Sequence, residues 1–112
     1  MSGARSRRKG AQFERAIVRR FSDAMPGAKV RRGLQARGGD EVPDVDVPCF
    51  WVETKHHRRT NIKAALRQAI EDASKGRWPV AVCKDDREDA VVAMQLDDFL
   101  DLVTEWWMRS ER

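Results

Sequence analysis

The sequence predicts an α/β fold in which a central mixed β-sheet is flanked by helices. Apolar residues that recur every three or four positions mark three helices, and shorter apolar runs between turn signals mark the strands. At 112 residues the chain is long enough for one hydrophobic core and too short for separate catalytic and binding domains. We therefore expect a single domain over residues 10–112, preceded by a flexible basic arm at residues 1–9.

The first predicted elements are a helix and a short basic strand. Apolar residues recur every four positions from residue 10 to about residue 25, and Pro26-Gly27 is expected to end this helix. Residues 29–35 can form a strand, and the paired glycines within residues 36–41 predict a loop that approaches a ligand closely. The apolar face of the helix comprises Phe13, Ile17, Phe21 and Met25.

A hairpin and a second helix are predicted next. Pro43 opens an acidic strand, Pro48-Cys49 is the candidate turn, and residues 50–55 form a mostly apolar strand that is typical of the centre of a sheet. Thr60 or Asn61 is expected to cap the following helix. Its buried stripe is expected to consist of Ile62, Leu66, Ala69, Ile70 and Ala73.

Two further strands and a helix complete the prediction. Residues 78–84 and 90–95 form strands around an acidic turn, and a helix follows over about residues 98–109, capped by Asp97. Trp106 and Trp107 cannot both face one narrow helical stripe. One of them is therefore a candidate contact with a second protomer, and a position at the boundary of the core is the alternative.

Charge is distributed unevenly along the chain. Residues 1–37 contain eleven Lys or Arg against two acidic residues, whereas residues 78–112 contain four basic against nine acidic residues. Lys and Arg side chains on phosphates release counterions and give affinity that is largely independent of sequence. The first third of the chain is therefore predicted to contact nucleic acid.

The composition also bears on the compartment. No apolar run approaches the length of a membrane span, and the N-terminal segment is too charged for a secretory signal. Cys49 and Cys83 lie in predicted strands without metal-ligand spacing, so we expect buried thiols in a reducing, cytoplasmic environment.

The stretch PDVDVPCFWVETK at residues 43–55 has the most informative pattern. In extended strands Asp44 and Asp46 share one face, and Glu53 and Lys55 share one face of the next strand. Carboxylates bind Mg²⁺ or Mn²⁺, which acidify a bound water and polarise a phosphate, while a lysine offsets developing charge. The pattern predicts phosphodiester hydrolysis. It leaves open whether Asp46 is a second ligand, replaces Asp44, or faces solvent.

This stretch resembles the PD-(D/E)xK nuclease superfamily, with Pro43-Asp44 and Glu53-Thr54-Lys55 as its motif. It looks most like the small Holliday junction resolvases of archaea and phages. Residues 9–15 resemble the first helix of that family, and Gln68 matches a glutamine that many members carry on the helix after the motif. The resemblance covers roughly residues 7–83 and implies a restriction-endonuclease-like core.

The resemblance implies a metal site and a set of roles. Mg²⁺, with Mn²⁺ as a substitute, would be held by Asp44, Glu53 and the main-chain carbonyl of Thr54, with Glu14 binding directly or through water. Lys55 would orient the attacking water, and Gln68 would help to place water or the neighbouring backbone, although a solvent-facing position for Gln68 is equally open. The candidate DNA contacts are Arg7, Arg8, Lys9, Arg31, Arg32, Arg37, Arg58 and Arg59.

The implied function is a metal-dependent, structure-specific DNA endonuclease that resolves four-way junctions as a homodimer, in the host cytoplasm if it is phage-encoded. A two-fold dimer suits a junction of approximate two-fold symmetry. Two alternatives remain: another nuclease of the superfamily that acts on flaps, nicks or duplex DNA, and a noncatalytic DNA-binding protein that retains the fold. Substrate preference distinguishes a junction resolvase from another nuclease of the superfamily. Binding of DNA without cleavage identifies the noncatalytic protein.

Overall fold

The structure is a computed structural model that describes residues 2–33 and 41–111. Its five strands form one sheet in the order β1-β2-β3-β4-β5, and the predicted mixed sheet with flanking helices is confirmed. Strands β3 and β4 are parallel, and the other neighbouring pairs are antiparallel. Arg37 and most of the predicted glycine-rich loop lie outside the described residues. The elements are α1 (Ser2–Ala24), β1 (Arg31–Arg32), β2 (Val45–Val47), β3 (Phe50–His57), α2 (Ile62–Asp72), β4 (Trp78–Asp85), β5 (Val91–Ala93) and α3 (Leu96–Ser110).

Strands β2 and β3 form the predicted hairpin. Val47 pairs with Phe50 across the two-residue turn Pro48-Cys49. Proline fixes its own φ near −65°, and Cys49 has φ of 72°, which is the pattern of a type II turn. Cys49 is therefore exposed at the hairpin tip rather than buried as the sequence predicted, whereas Cys83 is buried in β4.

The two faces of the sheet are covered by different helices. On one face α1 packs against a core that includes Val45, Val52 and Val80, and on the other face α2 packs near Ala81 and Cys83. Successive strand residues point to opposite faces. Because Val45 and Val52 face α1, the neighbouring Asp44 and Glu53 belong to the α2 face.

Helix α1 includes the segment that the composition predicted as a flexible arm. The helix begins at Ser2, and residues 3–8 are exposed along it. Arg, Lys and Ala have high helix propensity, and no proline interrupts the segment. Lys9 Nζ lies 2.6 Å from Asp86 Oδ1, and Phe13 stacks against His56 with ring centroids 5.3 Å apart. These contacts fix α1 to the ends of β3 and β4, so the basic N-terminal residues project on a helix.

Helix α2 begins after Asn61, whose Oδ1 accepts a hydrogen bond from Ala64 N at 3.0 Å. Thr60, the other candidate cap, instead donates its N–H and hydroxyl to Asp85 Oδ1.

We expect Asn61→Ala to lower the free energy of unfolding by about 1 kcal/mol, because the cap is lost. Thermal denaturation measures the effect, and Lys63→Ala, an exposed change on the same helix, is the matched control that should be nearly neutral. Equal melting temperatures for both variants would contradict the cap.

Helix α3 begins earlier than the sequence predicted. It starts at Leu96 with Gln95 at the cap position, which makes no side-chain cap hydrogen bond, so Asp97 lies in the first turn. A carboxylate there still interacts favourably with the helix dipole. None of the helices in the described residues is long and apolar enough to cross a lipid bilayer.

Candidate active site

Asp44 is anchored to the edge of β3 immediately before β2 begins. Its N–H donates to Val52 O at 3.0 Å, and its Oδ2 accepts hydrogen bonds from Thr54 N at 2.9 Å and Thr54 Oγ1 at 3.4 Å. The N–H and C=O of one strand residue point to the same side of the strand. The main-chain carbonyl of Thr54 therefore points to the edge at which the Asp44 carboxylate lies.

Glu53 is the one buried carboxyl group among the described residues, with 5% of its surface exposed. Its Oε1 accepts a hydrogen bond from Trp51 Nε1 at 3.1 Å. Burial, followed by the effect of the neighbouring Asp44 carboxyl group, raises the pKa of Glu53 to about 8, against the opposing Trp51 bond. At neutral pH the Glu53 carboxyl group of the cation-free protein is therefore protonated, and a divalent cation can replace that proton.

Asp72 is a site residue that the sequence reasoning missed. It is the last residue of α2, and its charge is the smallest of the effects that raise the pKa of Glu53. Gln68 precedes Asp72 by four residues and is exposed, which places both on one side of α2. The i, i+4 spacing was visible in the sequence, but the direction in which α2 packs was not.

Asp46 has different partners from Asp44. Its Oδ1 lies 3.0 Å from Arg77 Nη1, and its Oδ2 lies 3.6 Å from Arg31 Nε. These side chains line a cavity of about 300 Å³ together with Pro43. Two guanidinium groups thus form ion pairs with the Asp46 carboxylate. The structure therefore gives the two aspartates different surroundings: Asp44 lies beside Glu53, and Asp46 binds arginines.

Lys55 shares the α2 face of β3 with Glu53, two positions along the strand. It pairs in register with Cys83 of the parallel neighbour β4. Burial raises the pKa of the Cys83 thiol, and the nearby Lys55 charge opposes that shift. The lysine is half-buried.

Glu14 lies apart from the carboxyl pair. Its Oε1 accepts hydrogen bonds from Arg32 Nε at 3.0 Å and Arg32 Nη2 at 2.9 Å. Arg32 pairs in register with Val45, which faces α1. The structure therefore places Glu14 on the α1 face, whereas Asp44 and Glu53 lie on the α2 face.

Seven of the eight predicted DNA-contacting residues are described: three form ion pairs, and four are exposed without an ion pair among the described residues. Lys9 pairs with Asp86, and Arg31 and Arg32 pair with Asp46 and Glu14. The exposed set lies on α1 and after β3, where two arginines line a cavity of about 430 Å³ together with Arg87. This exposed set comprises Arg7, Arg8, Arg58 and Arg59.

The donors available to a metal are the two carboxyl groups and main-chain oxygen. Among residues 2–33 and 41–111 there is no cluster of three or more His, Cys, Asp or Glu side chains arranged to hold a metal ion. Asp44, Glu53 and the Thr54 carbonyl form an all-oxygen set, which is the donor chemistry that Mg²⁺ and Mn²⁺ prefer. No family model, curated protein or solved structure matches the chain.

Proposed function

We propose that this chain is a metal-dependent DNA endonuclease with a restriction-endonuclease-like core that cleaves four-way junctions as a homodimer. The observation that carries the proposal is the carboxyl pair. Glu53 is buried, Asp44 accepts a hydrogen bond from the main chain of the next residue, Thr54, and Lys55 lies on the same sheet face as Glu53. A buried carboxyl group with a raised pKa beside a second carboxyl group is typical of functional sites.

Three oxygen donors would hold Mg²⁺ or Mn²⁺ in this site: the carboxylates of Asp44 and Glu53, and the Thr54 carbonyl. A bound divalent cation supplies a nucleophilic water at neutral pH and charge stabilisation for the phosphate. The Thr54 N–H and hydroxyl orient the Asp44 carboxylate, and Trp51 Nε1 orients the Glu53 carboxylate. These hydrogen bonds fix the directions of the donor oxygens before the cation binds.

Lys55 and the end of α2 complete the proposed machinery. The Lys55 ammonium, on the face that carries Glu53, positions the attacking water and offsets negative charge on the phosphate as it is attacked. Gln68 and Asp72 lie four residues apart on one side of α2, and each is a candidate to hydrogen-bond a water of the metal shell. Glu14 is left out of the proposed metal site, because Arg32 holds its carboxylate on the α1 face.

The proposed substrate is DNA because of where the free positive charge lies. Arg7 and Arg8 are exposed on the projecting end of α1, and Arg58 and Arg59 follow the strand that carries Lys55. Such side chains bind phosphates without reading bases, which suits recognition of branched DNA by its shape.

The deciding experiment incubates the purified chain with labelled four-way junction, flap, nicked and linear duplex DNA, with Mg²⁺ or with EDTA, and maps the cuts. We expect paired symmetric nicks on the junction that EDTA abolishes. Metal-dependent cutting of flaps, nicks or duplex DNA without preference for the junction would replace the junction assignment with a broader nuclease. Tight binding without cutting in either Mg²⁺ or Mn²⁺ would overturn the enzymatic proposal in favour of a noncatalytic DNA-binding protein.

The arginines after β3 give a separate prediction about binding. We expect Arg58→Ala and Arg59→Ala each to weaken binding to all DNA substrates alike and to reduce the slope of log K against log salt by about 0.9, the value of one lost phosphate contact. Fluorescence anisotropy at several salt concentrations in EDTA measures both effects. Lys75→Ala, an exposed change at the opposite end of α2, is the control that should leave the slope unchanged. An unchanged slope in both arginine variants would remove them from the interface.

A further inference from the structure

Helix α3 has a complete apolar face that the described chain does not cover. Successive helical residues are about 100° apart, and seven apolar side chains of α3 fall within an arc of about 160°. None of the residues of α3 is buried, and α3 makes no extensive contact with another helix or strand among the described residues. The arc comprises Leu96, Phe99, Leu100, Leu102, Val103, Trp106 and Trp107.

The edge strand that precedes α3 in the chain also exposes apolar side chains. Strand β5 is the last strand of the sheet, and its Val91 and Val92 are 48% and 62% exposed. An apolar groove of about 210 Å³, lined by Phe21, Val82 and Val92, opens beside that edge. Nine of the ten large hydrophobic side chains that are exposed in the described residues lie between Val91 and Met108. The exposed large apolar side chains are therefore concentrated in β5 and α3, which follow each other in the chain.

The area of this region matches a protein–protein interface. Trp106, Trp107 and Phe99 are 63%, 55% and 48% exposed, so they alone leave on the order of 350 Å² uncovered, since an aromatic side chain buries about 150–250 Å² when covered. The aliphatic residues of the arc and of β5 bring the total toward the ~800 Å² per partner that a stable interface needs. A monomer rarely exposes a patch above roughly 600 Å².

We propose that the α3 arc and the β5 edge form a two-fold interface with a second copy of this chain. The segment at residues 34–40 offers only Leu34 and Ala36 as apolar cover, which is too little for seven large side chains. Nucleic acid is excluded as the occupant, because acidic residues line the polar side of α3. The inference rests on the proposed function in one respect, because that function already includes a homodimer, and it adds the surface through which the two copies meet; the oligomeric state tests it separately from DNA cleavage.

The charges beside the arc favour a second copy in particular. Asp98 and Arg109 lie on the same flank of the arc, one near the start of α3 and the other near its end. In an antiparallel helix pair related by a two-fold axis, each flank meets the same flank of the partner. The midpoint between residues 98 and 109 falls beside Val103, in the middle of the arc. If the two-fold axis passes there, Asp98 of each copy faces Arg109 of the other, which gives two equivalent ion pairs. This pairing is complementary only for a copy of α3 itself.

The strand edge is self-complementary as well. The outer edge of β5 carries main-chain donors and acceptors that pair with no other strand in the described residues, and an antiparallel copy of the same strand satisfies them. An edge strand of hydrophobic residues without charge is otherwise prone to aggregation. Each of the two elements is therefore self-complementary about a two-fold axis.

The test measures the oligomeric state of the full chain by sedimentation equilibrium from nanomolar to high micromolar concentration. We expect a dimer whose dissociation constant rises at least about 30-fold in Trp106→Glu, as for loss of an aromatic hot spot. Met108→Glu is the matched control: Met108 is equally exposed but lies outside the arc, so that variant should stay dimeric. Far-UV circular dichroism verifies that α3 keeps its helix content in each variant.

A charge exchange tests the self-pairing directly. Arg109→Asp is expected to weaken the dimer about 10-fold, because two-fold symmetry makes both pairs repulsive. The double variant Asp98→Arg with Arg109→Asp is expected to restore the dissociation constant to within about 3-fold of the original. A wild-type chain that stays monomeric at every concentration overturns the proposal and leaves the face to a different protein or a lipid surface. A dimer that Trp106→Glu does not weaken, or a double variant that does not recover, overturns this interface even if DNA cleavage is found.

Discussion

Asp44→Asn is expected to abolish DNA cleavage, whereas Asp46→Asn is expected to retain it. The Asp44 carboxylate accepts hydrogen bonds from Thr54, and its charge acts on Glu53, so the amide variant removes a charged oxygen donor from the proposed metal site. Loss of an outer-shell partner of a metal costs about 10–100-fold in activity, and loss of a ligand should exceed about 100-fold. Asp46 instead neutralises Arg31 and Arg77, so we expect its amide variant to stay within about 10-fold of wild type.

The measurement is single-turnover cleavage of a labelled junction at saturating protein, with binding followed separately in EDTA. Asp44→Asn should bind DNA at least as tightly as wild type, because it removes a negative charge near the substrate phosphates. Each aspartate variant serves as the control for the other, since the two lie two residues apart and the substitution is identical. Full activity of Asp44→Asn together with an inactive Asp46→Asn would transfer the ligand role to Asp46 and overturn the proposed site.

The fold was largely predictable because its elements depend on local patterns. The hairpin follows from the apolar strand and the Pro48-Cys49 turn, and α2 follows from Asn61 and the apolar spacing after it. The N-terminal part of α1 was less predictable. Arginines bury nothing, and composition alone does not distinguish a solvated arm from a solvated helix.

The site was predictable in its strands and not in its long-range contacts. Alternation along β2 and β3 placed Asp44, Glu53 and Lys55 correctly on one face. The same alternation could not separate Asp44 from Asp46, because only the tertiary positions of Arg31 and Arg77 distinguish them. Asp72 acts on Glu53 from a different element, so its contribution depends on how α2 crosses the sheet.

The pairing of Glu14 with Arg32 shows the same limit. Both residues were assigned individual roles in metal or DNA binding, yet they are eighteen positions apart and satisfy each other across α1 and β1. An ion pair of that kind depends on which sheet face α1 covers. Single-sequence periodicity identifies the apolar stripe of a helix but not the surface against which the stripe packs.

Glu53→Gln is expected to stabilise the cation-free protein at alkaline pH, although the same change should inactivate the proposed enzyme. The pKa of Glu53 is raised from 4.5 to about 8 in the folded protein, chiefly by burial. The native state therefore binds more protons than the unfolded state between these values, so the free energy of unfolding falls as pH rises from about 4.5 to about 8. A neutral glutamine can still accept a hydrogen bond from Trp51 and donate one to Asp44. Because it does not titrate, the free energy of unfolding of the variant no longer falls over this pH range on account of residue 53.

In EDTA at pH 8 we expect Glu53→Gln to be more stable than wild type by on the order of 3 kcal/mol, which raises the melting temperature by at least about 5 °C, with little difference near pH 4.5. Glu71→Gln, an exposed change on α2, is the control that should show neither effect. Adding Mg²⁺ at pH 8 should narrow the difference in melting temperature between Glu53→Gln and wild type. A cation that binds only the folded wild type stabilises that protein in proportion to the logarithm of the cation concentration. A wild-type melting temperature that neither falls with pH in EDTA nor rises with Mg²⁺ or Mn²⁺ would show that the Glu53 carboxyl group is not held as a metal ligand. Since this readout needs no DNA, it tests the metal site independently of the substrate.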